Sequence, residues 1–300
     1  MMDTKKALTK DILRIFVWNA NGILQQANEL EYLLNTYAID IALINETHLN
    51  PTKNVYFYSY ETYRSDRVNK TGGWTAVFIK RDLPHYQHNF KDLITIEATA
   101  VKANTRRRSI LFAAIYKLPQ VTLQTQDLDE LTQTGKIVFA GDLNCKYTNW
   151  NSRTTTANGR TLNEHANNND YLVNAPNEPT FYPSNYLQQP YIIDVVLTDI
   201  GITPEDLTVL HELDSDHNPI FCEIMITADI EIKGLTKNQI TCNWDTFKTK
   251  LEDTLPVVHP IQDMEEAEAT LHLFTSTVQK AYRAQPGSQS HTTPGKITHN

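Results

Sequence analysis

The stretch LRIFVWNANGILQQANELEYLLNTYAIDIALINETHL, residues 13–49, decides the fold class. Leu13–Asn19 is an apolar run rich in β-forming residues. Asn28–Ala38 places Leu30, Leu33, Leu34 and Tyr37 at helical spacing. Ile39–Asn45 is a second apolar run with strand character. The reading is strand–helix–strand. Both strands end in polar residues, WNANG after the first and NETHL after the second.

The same pattern continues along the chain. WTAVFIK (Trp74–Lys80), LITIEATAVKA (Leu93–Ala103), RSILFAAIY (Arg108–Tyr116), KIVFAGDLN (Lys136–Asn144), YIIDVVLT (Tyr191–Thr198) and PIFCEIMIT (Pro219–Thr227) all read as strands. Ile94, Ile96, Ala98 and Ala100 alternate as in a half-exposed strand. Helices are predicted at Leu123–Gln133 and Arg160–Asn169. So many strands with so few helices between them predict an α/β (α+β) fold. It is a four-layered sandwich of two stacked mixed β-sheets flanked by helices, not a doubly wound parallel sheet. After Thr227 the strand periodicity stops. Asn243–Leu255 and Met264–Tyr282 read as amphipathic helices, and RAQPGSQSHTTPGKITHN as a polar tail. The predicted organisation is a catalytic-sized domain over residues 1–228 and a helical linker over 229–300.

Composition bounds the function classes. The chain has 300 residues, a net charge of −8 and 40% hydrophobic residues, enough to bury a core. No apolar run reaches the ~18–20 residues of a membrane span, so no membrane partner is expected. The N-terminus lacks the apolar core of a secretory signal. Cys145, Cys222 and Cys242 are odd in number, far apart and form no CxxC. That argues against a disulfide or zinc framework and for a reducing cytosolic or nuclear setting. The acidic balance looks unfavourable for nucleic-acid binding, but the sign around a groove matters more than the chain total.

Polar residues with metal or proton chemistry recur just after the apolar runs: Asn19, Asn21, Glu46, Tyr116, Asp142, Asn144, and Asp216 with His217. Each has a structural reading when taken alone. Asn21-Gly22 makes a turn, Glu46 a surface acid, Asp142-Leu143-Asn144 an Asx cap, and Asp216-His217 a polar pair before a strand. Their recurrence at one kind of position points to a rim of functional groups on a rigid scaffold. Asp194 is different, because it sits inside an apolar run between Ile193 and Val195. A charge there needs a partner. Its natural partner is a histidine held by the carboxylate, with a buried Arg or Lys pair as the second reading.

WNANG, INETHL, AAIYKLP, FAGDLNC, YIIDVVL and DSDHNPI, in this order from about Leu13 to Thr227, resemble the endonuclease/exonuclease/phosphatase superfamily. NETHL and the GDLNC stretch with Trp150 are most similar to the apurinic-type endonucleases of non-long-terminal-repeat retrotransposons, in particular the jockey type of insects. In that group a reverse transcriptase follows the nuclease, and no YxDD-type polymerase motif occurs here. The resemblance implies a divalent-metal-dependent DNA endonuclease. It would nick double-stranded target DNA in the nucleus and leave a 3′-hydroxyl for target-primed reverse transcription. The implied partners are that DNA, the reverse transcriptase domain of the same polyprotein and, indirectly, the element RNA.

The resemblance also implies roles. Glu46 is the main Mg²⁺ ligand, with Mn²⁺ as a substitute, and Asp216 is a second ligand. Asn19 and Asn21 place metal and phosphate. Asp142 orients or deprotonates the attacking water, with Asn144 beside it. His217, held by Asp194, faces a phosphate oxygen together with Tyr116. Thr180 and Ser215 match phosphate-contacting positions. Lys117, Lys146, Arg153 and Arg160 lie near the motifs and are the preferred backbone contacts. Arg64, Arg67 and Lys70 are further cations, and Arg106–Arg108 reads as a solvated hairpin turn. Asn21 stands where repair apurinic endonucleases carry Asp, which favours the retroelement group. The family's groove-entering hairpin would emerge between Thr198 and Leu213, where four acids argue against deep insertion. The alternatives are a repair or other phosphodiesterase of the superfamily, and a DNA-docking module without catalysis.

Overall fold

A computed structural model describes residues 12–65, 74–105, 108–133, 135–185, 187–199, 202, 204–226 and 244–255, with positions 266, 270, 273, 274 and 277. The chain divides into two units, Met1–Ile230 and Glu231–Asn300.

The first unit opens as β1 (Ile12–Asn19), a short 3-10 turn (Ile23–Gln26), α1 (Ala27–Thr36) and β2 (Ile41–Asn45). It continues through β3 (Tyr60–Ser65), β4 (Thr75–Lys80), β5 (His85–His88), β6 (Ile96–Asn104) and β7 (Ser109–Lys117). Then come α2 (Thr125–Thr132), β8 (Ile137–Asp142), α3 (Ala157–Asn168), β9 (Tyr171–Asn174), β10 (Asp194–Asp199), β11 (Thr208–Val209) and β12 (Ile220–Met225). The strands form two six-stranded sheets, ordered β11-β12-β1-β2-β4-β3 and β5-β6-β7-β8-β10-β9. Each sheet has one parallel pair at its centre, β1–β2 and β7–β8, joined by a helical crossover. All other pairings are antiparallel.

Three apolar layers follow from the period of two along each strand. Leu13, Ile15 and Val17 of β1, Ile41 and Leu43 of β2, Phe112 and Ala114 of β7, Val138 and Ala140 of β8, and Val196 of β10 fill the space between the sheets. The alternate residues Phe16, Trp18, Ala42 and Ile44 pack under Leu30 and Leu34 of α1. Leu111, Ala113, Ile115, Phe139, Val195 and Leu197 pack under Leu128 and Leu131 of α2 and Leu162 and Ala166 of α3. Each fully buried Val, Leu, Ile or Phe among them contributes about 1.5–3 kcal/mol relative to an exposed one.

All eight predicted strands are present, most within one or two residues of the expected limits; Ile94, the first residue of the alternating run, is 70% exposed and precedes β6. The four strands that carry no apolar run, β3, β5, β9 and β11, are the four sheet edges. An edge faces solvent, so it tolerates sequences such as YETYRS and HYQH. Asn104 pairs with Ser109 where β6 passes to β7, and Arg106 and Arg107 of the predicted hairpin turn lie outside the described residues.

In the second unit α4 spans Trp244–Thr254. The predicted helix at Met264–Tyr282, apart from five positions, and the tail beyond it lie outside the described residues, as do Arg67 and Lys70.

Candidate active site

The inner faces of the central strands stay apolar for most of their length and end in polar side chains at one rim. Asn19 follows Val17 on the inner face of β1, and Asn45 follows Leu43 on β2. Tyr116 follows Ala114 on β7, and Asp142 follows Ala140 on β8. β10 and β12 run antiparallel to β8 and β1, so their N-terminal ends reach the same rim. Asp194, two residues before the inward Val196, lies directly opposite Asp142. It is therefore the first residue of its strand and obeys the rim pattern, not an exception inside a run as the sequence suggested.

His217 reaches the rim from the loop before β12. Its Nδ1 lies 2.9 Å from Asp194 Oδ2, and its Nε2 lies 3.8 Å from Asp142 Oδ2. The imidazole partner is thus the solution the structure adopts, rather than an Arg or Lys pair. The ring packs on Phe181 at 4.8 Å between centroids, and the His217 carbonyl accepts from Trp18 Nε1 at 3.0 Å. Asn19 sits at the centre of the cluster. Its Nδ2 lies 2.9 Å from Glu46 Oε1, 3.2 Å from Asp142 Oδ2 and 3.5 Å from His217 Nε2.

Backbone geometry aims several of these groups. Asn21, Glu46, His48 and Asn144 all have positive φ, between 42° and 51°, at the ends of β1, β2 and β8. Non-glycine residues in this region store strain and cluster at functional sites. The turn brings the Glu46 carboxylate back over the rim, where Oε2 lies 3.5 Å from His48 Nε2. Asn144 donates its backbone N–H to Asp142 Oδ1 at 2.8 Å and its amide to the Lys117 carbonyl at 3.0 Å. Ser215 donates to the Asn19 carbonyl at 3.0 Å and accepts the His217 backbone N–H at 3.2 Å. Asn21 donates to Asp216 Oδ1 at 3.2 Å on the exposed side. Thr180 Oγ1 accepts from the Asp194 backbone N–H at 3.4 Å. Tyr116 is buried near the end of β7, opposite Glu97.

The electrostatics follow from burial. Asp142 is desolvated and faces Asp194, and its carboxyl is pushed up to about 7. Burial alone would lower His217, yet the hydrogen-bonded Asp194 carries it up to about 9. Asp194 Oδ1 is buried and has no hydrogen-bond partner among the described residues. The cluster thus holds more buried negative charge than one imidazolium balances, which suits a hard divalent cation. Ligand atoms of Asp142, Asp194 and His217 lie within 4.8 Å of one another. His217 Nδ1 is already engaged by Asp194, however, so that trio reads as a proton-holding chain. Glu46, only part-buried and sharing Asn19 Nδ2 with Asp142, is the carboxylate that offers free oxygen lone pairs at the mouth. Asp216 and Asn21 flank the exposed side.

Two expectations are corrected. Lys117 is not an exposed phosphate contact. It is fully buried, and its Nζ donates to the carbonyls of Leu118 at 2.8 Å and Val121 at 3.1 Å. The period of two explains this, since Lys117 follows the inward Tyr116 and so points to the outer layer, where burial lowers its pKa. The described residues of the segment after Thr198 do not form a hairpin beside the site. Pro204, Glu205 and β11 are laid along β12 as the sheet edge. The hairpin that touches the site is Phe181–Tyr191, closed by paired backbone bonds of 2.9 Å and bridged from Phe181 to His217. It carries the exposed Tyr182 and Leu187.

Of the remaining cations, Lys146 places its Nζ 3.1 Å from the centroid of Tyr191, with the Arg153 guanidinium 5.0 Å from the same ring. Burial and the neighbouring Arg153 lower the Lys146 pKa. Arg160 is exposed on α3. Arg64 is tied to the carbonyls of Lys53 and Asn50. Sequence reasoning missed Asn45, His48, Phe181 and Tyr191. The first two lie inside the NETHL motif, and the alternation of β2 was the signal that aims Asn45 inward.

Comparison with known proteins agrees with this geometry. The family model described as "Endonuclease-reverse transcriptase" matches residues 110–221. The RNA-directed DNA polymerase from mobile element jockey of Drosophila melanogaster is 28% identical over 279 residues, covering 91% of this chain and 30% of that protein. The probable RNA-directed DNA polymerase from transposon X-element of the same organism is 27% identical over 282 residues, covering 90% of this chain and 30% of that protein. The chain therefore spans about a third of the length of these relatives. Among solved structures, the endonuclease domain of TRAS1, a telomere-specific non-LTR retrotransposon, superposes with a TM-score of 0.61 at 20% identity. That match covers 71% of this chain and 98% of the TRAS1 domain. An AP endonuclease from Archaeoglobus fulgidus matches with a TM-score of 0.54 at 15% identity, over 73% of this chain and all of that one.

Proposed function

We propose, from the premise that this chain belongs to the endonuclease/exonuclease/phosphatase superfamily as the nuclease domain of a non-long-terminal-repeat retrotransposon, that it nicks one strand of double-stranded DNA. The product is a 3′-hydroxyl that primes reverse transcription. The observation that carries the reading is the continuous chain Asp194–His217–Asp142–Asn19–Glu46 at one rim.

The residues act as follows. Asp142, with its carboxyl near neutrality, accepts a proton from the attacking water. The water oxygen bonds to phosphorus as the P–O3′ bond breaks, and a proton ends on the 3′ oxygen. The His217 imidazolium, fixed by Asp194, donates through Nε2 to the phosphate and stabilises its growing charge. Asn19 aligns Asp142 with Glu46, and Asn144 locks the second oxygen of Asp142. Glu46, with Asp216 and Asn21 on the outer side, would hold a divalent cation such as Mg²⁺ or Mn²⁺. When bound, it supplies charge neutralisation at the phosphate. Lys146, Arg153 and Arg160 serve the DNA backbone, and the Phe181–Tyr191 hairpin approaches the groove. The full protein joins this domain to a reverse transcriptase that meets the element RNA, and its nicking takes place on chromosomal DNA in the nucleus.

Incubation with supercoiled plasmid tests the proposal. Relaxed circles should form with Mg²⁺ and vanish with EDTA, and the nicks should be extendable by a polymerase. His217→Ala should slow nicking by about 10²–10⁴-fold. Unchanged nicking by that variant, or none by the wild type, sinks the reading. Cleavage confined to an abasic oligonucleotide favours a repair enzyme instead.

A further inference from the structure

The candidate site is split between the two sheets. Asn19, Glu46, Ser215, Asp216 and His217 come from the sheet built on β1, β2 and β12. Tyr116, Asp142, Asn144 and Asp194 come from the sheet built on β7, β8 and β10. Apolar packing holds the sheets together but is non-directional and tolerates small sliding. A cation ligand on one sheet and a proton acceptor on the other need a stricter spacer.

Asn45 meets the requirement. It is the last residue of β2, fully buried, and opposite Asn19 in the parallel ladder. Its side chain continues the inward row of Ile41 and Leu43 and crosses to the other sheet. There Nδ2 donates to the Ile115 carbonyl of β7 at 2.8 Å. Its backbone carbonyl accepts from Ala20 at 2.9 Å, so the same residue also ties β2 to the end of β1. Gly141, the residue before Asp142, makes room for the amide. A Cβ at Gly141 would overlap both the Ile115 carbonyl oxygen and the Asn45 amide. Asn45 Oδ1 has no hydrogen-bond partner among the described residues. A buried acceptor left unpaired is costly, so stability alone does not explain an asparagine at this position.

We propose that Asn45 is a positioning residue. Its amide, seated between Ile115 and Gly141, sets the spacing of Glu46 and His217 on one sheet against Asp142 and Asp194 on the other. The catalytic part of this inference rests on the nuclease reading, and the mechanical part does not. Asn45 touches its neighbours on both sheets one residue away from Glu46, Tyr116 and Asp142 at once. A sub-ångström change there is transmitted directly to the reacting groups.

The test compares Asn45→Leu and Asn45→Val, which both remove the amide without adding charge, with Val77→Ala. Val77 lies in the same inter-sheet layer, away from the rim, and serves as the control for general loosening. Both Asn45 variants should melt cooperatively within about 5 °C of wild type. Their kcat for plasmid nicking should fall about 10–100-fold, with KM for DNA within about twofold. In metal-free protein, amide hydrogen exchange should quicken at residues 45–47 and 141–144 in the Asn45 variants and not in Val77→Ala. Wild-type kcat in Asn45→Leu overturns the proposal, and so does an equal loss in Val77→Ala. Unchanged exchange at both segments overturns it even if the wild type nicks no DNA. If Asn45→Leu does not fold, Asn45→Val carries the same comparisons, since it is smaller, adds no charge and also removes the amide.

Discussion

At the scale of single residues, two buried groups govern the pH response of the metal-free protein. His217 is raised from its ordinary value to about 9. Its stabilising contribution is full below its unfolded value near 6.5 and is lost as pH rises through 9. Asp142 is raised to about 7, so its folded form favours the proton. Its contribution is full below the unfolded value near 4 and is lost as pH rises to 7. Both signs agree. The melting temperature of metal-free protein is therefore expected to fall steadily from pH 5 to pH 9. Asp142→Asn should flatten the part of that slope below pH 7. Thermal melts at constant ionic strength check this, and a melting temperature that rises across the window contradicts the assignment.

At the scale of elements, α2 is tied to the start of β6 by one side chain. The Asp127 carboxylate accepts backbone N–H groups from Ile94 at 2.8 Å, Thr95 at 2.6 Å and Ile96 at 2.9 Å. It also accepts the Thr95 hydroxyl at 2.6 Å. Asp127 is fully buried, so Asp127→Ala strands these donors away from water. The expected loss is about 2–4 kcal/mol, measurable by urea unfolding. A loss under about 1 kcal/mol would mean that water replaces the carboxylate. Asp127 had no signal of its own in the sequence, because an acid in the first turn of a helix reads equally well as a solvated cap. Its partners lie about thirty residues away.

At the scale of the whole molecule, the proposed DNA substrate requires a domain of a chain with net charge −8 to meet a polyanion through local cations. Lys146 and Arg153, sharing the Tyr191 ring beside the site hairpin, are the clearest such pair. Lys146→Ala and Arg153→Ala should each weaken DNA binding across sequences and lower the salt-dependence slope by about one. Fluorescence anisotropy at several salt concentrations measures this. A slope unchanged in both variants would show that the phosphates are met elsewhere.

The order of motifs and the alternation of apolar residues were enough to predict two stacked sheets and a rim of polar groups. Period and strand-end polarity are local properties, written in neighbouring residues. The edge strands stayed silent because solvent imposes little pattern on them. The pairing of Asp194 with His217 was legible as a need, since a buried carboxylate requires a partner and a histidine was its natural one, and the fold brings the two side chains within hydrogen-bond reach. The fold also turned Lys117 away from the site and placed the hairpin at Phe181–Tyr191. Those outcomes depend on which residues two hundred positions apart share a rim, and on one-residue registers that send a side chain to one face or the other. Contacts of that kind are made across the sheets, so no local stretch of sequence contains them.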